Sequence, residues 1–528
     1  MTRPDPLKNE AWSFFDAQIP TWSDFHMKIW DYAEPAWREY RSAAAYVDLL
    51  RHEGFEVEAG SGGMPTAFMA RWGSGGPVLG TFAEYDAVPH NSQAPVPHRE
   101  PRPGLHPYAP GHTDPHSALG VAALSGILAA KHVMEREKIP GTLVIFGEPA
   151  EKVCGSKPVH AAKGYYDGFD AFVVYHPHTT NTVAWDTHFA AYWSAVFTFE
   201  CDDAAPWSDP AMLPFQGSAH VGVRSPGALD ALMLMYTNTK YTKENMFPHL
   251  GAWTLNEAVL ANGTATSDNL PPRFAQIQYS WRGPTLAVQQ RIADVLERNA
   301  RAAALATNTR AHIRWVTKTR VGLPNHVLAR LTYENLKQVG APVFPEQARA
   351  FARAIQEDQG LVPDNEPFTE GARSLLDPEV YEQGFRRDLP AWQTHVSADD
   401  YVEYCWHAPT VRLLTAKPLV RGLTSRAYWA NNALNGIPAA IDQTWITAGK
   451  TMAATLVDLL THPEVVDAAR TEYEERTGGG VGGTNWTAPL LPEDFAAPVE
   501  LPWPEYIETP RGFGWMLPDT RSFGTPLD

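Results

Sequence analysis

The sequence predicts an α/β protein: a larger body built on a mostly parallel, helix-covered sheet, with a compact α+β segment inserted into it. Three observations lead there. PVLGTF (77–82), TLVIF (142–146) and AFVVY (171–175) are short apolar or β-branched runs that read as buried strands. Between the first two lies SALGVAALSGILAAKHVMEREK, a helical stretch, so the order is strand, helix, strand, the pattern of a parallel sheet. Near residue 188 the pattern changes to longer strands paired with amphipathic helices.

The elements follow in order. Residues 11–56 carry apolar side chains at helical spacing (Ile29, Tyr32, Ala33, then Tyr46, Leu49, Leu50) and stop at His52, Glu53 and Gly54. The alternating strands and helices come next. WSAVFTFE (193–200), the helical PGALDALMLMYTNTKYTKENM, FAQIQYSWRG (274–283) and the helical VQQRIADVLERNARAAALATN form the insert. GKTMAATLVDLL reads as a late helix, and the end, from Gly478, is rich in Gly, Pro and Trp with little periodicity. The expected boundaries are 1–188 and 316–480 for the larger domain, 189–315 for the insert and 481–528 for a tail that wraps the body.

With 528 residues the chain is long enough for two or more domains. Its net charge of -17 argues against nucleic acid or an anionic membrane as partner and leaves small molecules. The three cysteines lack the spacing of a zinc finger or a disulfide framework, and the N-terminus lacks the apolar segment of a secretory signal. No apolar run reaches the eighteen or so residues of a membrane span. A reducing, cytoplasmic setting is the expectation.

Each of the three strands is followed at once by residues able to do chemistry: Glu84 and Asp86, then Glu148 and Glu151, then His176 and His178. In open α/β sheets, ligands bind outside the carboxyl ends of the strands. GHTDPHSALG (111–120) sets His112, Asp114 and His116 on alternate residues before a helix, a donor set suited to Zn²⁺ or Mn²⁺. Asp114 followed by Pro115 also suits a plain helix cap. GEPAEK (147–152) offers Glu151 as a general base and Lys152 as a cation, or equally a solvated loop with a surface lysine.

These segments, FAEYDAVPHNSQ, GHTDPHSALG, GEPAEK with GSK after it, and FDAFVVYHPH, resemble in order and spacing the metal-dependent aminoacylase and carboxypeptidase family. The likeness is to its aminobenzoyl-glutamate hydrolase and amino-acid-conjugate amidohydrolase branch. FQGSAHVGVRSPGALDAL resembles the family's lid signature and implies a catalytic role for His220, which there reaches a neighbouring subunit's site. SDNLPPRFAQIQYSWRG implies substrate contacts for Asn269 and Arg282. SADDYVEYCWHAPT and LLTHPEVVDAARTEYEERTGG match the closing part of the larger domain.

The departures are informative. That branch has Cys where this chain has Asp114, a second Glu where it has Lys152, and a late metal-binding His whose place falls within RAYWANNALNGIP. The resemblance therefore implies that both private ligands of one metal of a two-metal site are gone, while the other metal's ligands map to Asp114, His116 and His176. The expectation is one divalent ion per subunit, Mn²⁺ or Zn²⁺, in a homodimer or higher homo-oligomer. Glu151 is then the general base, Glu84 and Asp86 orient ligands, and Lys152 replaces part of the missing charge. The reaction is hydrolysis of an amide-type C–N bond in a small carboxylate-bearing, even aromatic, substrate. Hydrolytic deamination of an aromatic amine, or ligand binding without catalysis, are the alternatives.

Overall fold

The computed structural model describes residues 5–201, 227–249, 251–263, 273–510 and 512–515. His220 and Asn269 lie outside the described residues.

The larger sheet has seven strands in the spatial order Glu56–Ala59, Phe68–Ser74, Gly141–Gly147, Val78–Ala83, Ala171–His178, Thr410–Ala416 and Thr182–Val183. Its centre is parallel: Val78–Ala83 pairs in parallel with Gly141–Gly147 and Ala171–His178, and the latter with Thr410–Ala416. The edges are antiparallel. All three expected strands lie in this parallel centre, buried on both faces, which is why they read as unbroken apolar runs.

The helix between the first two is His116–Glu137, packed against Pro438–Thr461 and Pro6–Tyr32. It is long and apolar enough to cross a bilayer, but it is a core helix, with 94% of its most apolar window buried in protein. Its first turn presses on the strand end that carries Glu84: a methyl added at Gly120 would collide with Tyr46 Oη and the Glu84 carbonyl oxygen. That close approach brings His116 to Glu84 and Asp86.

A second, four-stranded antiparallel sheet runs in the order Arg310–Lys318, Ala191–Glu200, Phe274–Gly283 and Thr254–Ala261. The helices Ala228–Met246 and Leu286–Thr307 cover it, and an apolar core of its own includes Trp193, Phe197, Trp281, Ile292 and Leu296. The described residues beyond Gly478 fold back over the body. Leu491, Phe495, Leu501 and Trp503 join a cluster with Trp37, Met64, Val196 and Val316, and Arg38 donates to the Val499 and Leu501 carbonyls.

His26, fully buried beneath the site with Nε2 on Ser117 Oγ, has its pKa pushed down by burial to about 4. Its folded pKa is depressed, so its contribution is complete above about pH 6.5 and is lost as pH falls towards 4. In His26→Gln the stability difference from wild type is therefore expected to move in the variant's favour by about 1.4 kcal/mol per pH unit across that window. Urea midpoints at a series of pH values check this, and a difference constant between pH 6.5 and 4 contradicts it.

Candidate functional site

The carboxyl ends of the parallel strands and the start of the helix His116–Glu137 converge on one cluster. Lys152 Nζ is at its centre, donating to Asp114 Oδ2 (2.9 Å), Glu151 Oε2 (3.1 Å) and His116 Nε2 (2.6 Å). His116 Nε2 also lies 3.2 Å from Glu84, 3.4 Å from Glu151 and 3.6 Å from Asp114, and His176 Nε2 lies 3.9 Å from Asp114. Asp114 makes no side-chain cap to the helix that follows, so the capping reading of that residue gives way to an ion pair with Lys152. Nor is Lys152 a surface lysine: its side chain is 16% exposed and points inward.

The loop that presents Glu151 and Lys152 is held in a costly shape. Ala150 and Cys154, on either side of the 3₁₀ turn Glu151–Val153, both have left-handed backbone (φ 57° and 48°), at about 1–2 kcal/mol each for residues with a side chain. Two carboxylates fix it: Glu39 accepts from Ala150 N (2.7 Å) and Asp86 Oδ2 from Lys152 N (2.8 Å). Asp86 Oδ1 meanwhile accepts from His116 Nδ1 (2.6 Å). With both oxygens engaged, Asp86 orients its neighbours.

Below this layer is a second buried one. Lys157 Nζ bridges Glu84 Oε1 and Asp400 Oδ1, 2.6 Å from each, and all three side chains are fully buried. Glu148 accepts from His160, Tyr166 and Tyr404 and is a structural hub. The sequence reading gave Lys157, Asp400 and Arg412 no role. The available signal was a charge set inside or beside an apolar strand run, as Arg412 is in TVRLLTA, since such a charge must find a partner.

Electrostatics follow from this crowding. Burial opposes ionisation of Asp114, but Lys152, His176, His116 and Lys417 outweigh it and hold the carboxyl well below its ordinary range. Burial also works against the Lys152 ammonium, which Asp114, Glu151 and Asp86 nevertheless hold well above normal. For His116, burial and Lys152 oppose protonation while Glu84 and Asp86 favour it. Two bases in contact at 2.6 Å share one proton there. Lys152, with two carboxylates as further acceptors, holds it, and His116 keeps Nε2 as an acceptor. Burial raises Glu84 to about 7 despite Lys157.

The donor set suits a divalent ion. His116 anchors Nδ1 on Asp86 and His176 anchors Nδ1 on the Pro177 carbonyl (2.7 Å), so both imidazoles turn Nε2 inward, the arrangement of metal-ligating histidines. Ligand atoms of Glu84, His116 and His176, and of Asp86, His116 and Glu151, each fall within 4.8 Å of one another, and Glu84 Oε2 is buried without a hydrogen-bond partner. The segment where the late histidine is expected forms the helix Trp429–Asn435. Asn432 and Asn435 there bond to backbone and Ser117, and among the described residues Tyr428 is the one that reaches the cavity.

A cavity of about 680 Å³ opens over the cluster, bounded by Asp114, Glu151, Lys152 and His176 on one side and Arg282 and Tyr192 of the smaller sheet on another.

Comparisons with known proteins agree with this architecture. The chain is 27% identical over 487 residues to one of the subunits of the p-aminobenzoyl-glutamate hydrolase of Escherichia coli (strain K12), covering 89% of this chain and 96% of that one. It is 28% identical over 403 residues to the Xaa-Arg dipeptidase of Mus musculus, covering 71% and 83%. Among solved structures, an aminobenzoyl-glutamate utilization protein from Klebsiella pneumoniae shares the fold, with a TM-score of 0.50 at 15% identity, over 82% of this chain and 98% of that one. No family model matches the chain.

Proposed function

From the family that these relatives support, the metal-dependent aminoacylases and aminobenzoyl-glutamate hydrolases, we propose that the chain is a hydrolase of an amide-type C–N bond in a small carboxylate-bearing substrate. One observation carries the reading. Two histidines present Nε2 beside the Asp114 carboxylate, and the place of a second metal's glutamate is taken by the Lys152 ammonium.

Asp114, His116 and His176 would hold one divalent ion, Mn²⁺ or Zn²⁺, which when bound supplies Lewis acidity to the scissile carbonyl and acidifies water. The protein does the rest. Asp86 and the Pro177 carbonyl fix the histidine tautomers. Glu151, 11% exposed at the cavity floor, takes a proton from water and returns it to the leaving nitrogen. Lys152 pairs with the Glu151 carboxylate and offers an N–H to the developing oxyanion. Arg282, with Asn269, grips a substrate carboxylate, and His220 completes the site from a neighbouring subunit in a homo-oligomer.

Elemental analysis of freshly purified protein, run beside an assay with p-aminobenzoyl-glutamate and related N-acyl amino acids, tests the reading. About one metal per subunit and release of an amine with a carboxylate are expected. Two fully occupied ions would overturn the single-metal reading. Ammonia without a new carboxylate would favour deamination, and neither metal nor turnover would favour a binding protein.

A further inference from the structure

Cys154 closes the turn that presents Glu151, and it brings a sulfur to the same place. A carboxylate oxygen of Glu151, one of Asp400 and Cys154 Sγ lie within 4.8 Å of one another, and all three residues are buried. Both carboxylates have an oxygen to spare. Asp400 Oδ1 accepts from Lys157, but Oδ2 is buried and has no hydrogen-bond partner. Glu151 spends Oε2 on Lys152 and keeps Oε1. The cysteine is pinned by its backbone, whose N–H donates to the Glu151 carbonyl (2.7 Å) and whose carbonyl accepts from Thr317 Oγ1 (2.6 Å), so its thiol has a fixed place.

The charges around these atoms favour an ion. Lys157 is one cation between two carboxylates, Glu84 and Asp400, and Lys152 likewise serves both Asp114 and Glu151, so each ammonium leaves a negative charge uncompensated away from water. Burial holds Asp400 well above the usual carboxylate range against the pull of Lys157, and burial, with Asp400 and Glu151, pushes the Cys154 thiol up. A divalent ion relieves that surplus and takes the sulfur as thiolate, its proton leaving to water. Glu151 and Cys154 line the cavity and give an ion its way in, while Asp400 lies beneath them, fully buried. Sulfur among the donors selects Zn²⁺ or Cd²⁺ over Mn²⁺. Lys152 and Lys157 oppose the ion's approach, so the site fills only at metal excess.

We propose that Glu151, Cys154 and Asp400 form a second cation site, which takes a soft divalent ion such as Zn²⁺ when that ion is in excess. It shares no ligand with the site of Asp114, His116 and His176. An ion there occupies the carboxylate that would take the proton from water, so excess Zn²⁺ shuts the reaction off; this consequence rests on the reading of Glu151 as the general base.

Titration of the full-length protein with Cd²⁺ tests the site through the ultraviolet charge-transfer band of a cadmium thiolate, a readout that needs no turnover. The band should grow in the wild type, vanish in Cys154→Ser, and persist in the double variant Cys201→Ala/Cys405→Ala, where Cys154 is the remaining cysteine. Asp400→Asn should need about tenfold more Cd²⁺ or greater to reach the same band. A wild type without the band, or a band that survives Cys154→Ser, overturns the proposal, and wild-type affinity in Asp400→Asn overturns the ligand set. Should Cys154→Ser fail to fold, the double variant decides: a band there sustains the site and its absence overturns it. In turnover, excess Zn²⁺ should slow the wild type about tenfold or more and leave Cys154→Ser uninhibited, while excess Mn²⁺ slows neither. A Cys154-dependent band without inhibition by Zn²⁺ would sustain the site and remove Glu151 as the base.

Discussion

Glu151→Gln is expected to fold, to keep its metal, and to lose activity by about a hundredfold or more. The substitution is nearly isosteric, and the amide oxygen can still accept from Lys152 Nζ, so the left-handed turn that presents residue 151 should survive. What is lost is the ability to take a proton from water and give it to the leaving nitrogen. The alternative carboxylates are otherwise engaged: Asp86 has both oxygens bonded, and Glu84 is tied to Lys157 in a fully buried layer. The measurement is kcat at matched metal content. Turnover like that of wild type would show that another group is the base.

Lys152→Met should separate metal affinity from activity. In the wild-type arrangement the ammonium occupies the acceptors, Asp114 Oδ2 and His116 Nε2, that a metal needs, so a divalent ion has to displace it. Removing it leaves Asp114 and Glu151 without their cation, and divalent affinity should rise about tenfold or more, the scale of one charge at short range in a partly buried site. Activity should nevertheless fall, and added Mn²⁺ or Zn²⁺ should not restore it, because the donor to the oxyanion is gone. Lys152→Glu supplies one missing carboxylate without the late histidine, so added metal should rescue it only in part. Metal titration followed by kinetics reads both quantities. If both variants match wild type in affinity and rate, the charge-replacement idea is wrong.

The sequence by itself determined the parallel centre of the larger sheet and the candidate ligands. Strands covered on both faces must be apolar throughout, and the three runs ending at residues 82, 146 and 175 carry that signature, with Glu84, Asp86, Glu151 and His176 directly after them. Chain order also sets His116 at a helix start, because the helical spacing begins there. Tertiary structure decided what each group does. Whether Asp114 caps a helix or pairs with a lysine, and whether Lys152 faces solvent or the cluster, depends on which loops the folded sheet brings together, and local spacing carries no information on that. The same holds for Lys157 with Glu84 and Asp400, and for Arg412 with Asp399, pairs joined across 73, 243 and 13 residues. A buried charge must find its partner, but the partner's identity is fixed only when the strands have packed and water has been excluded.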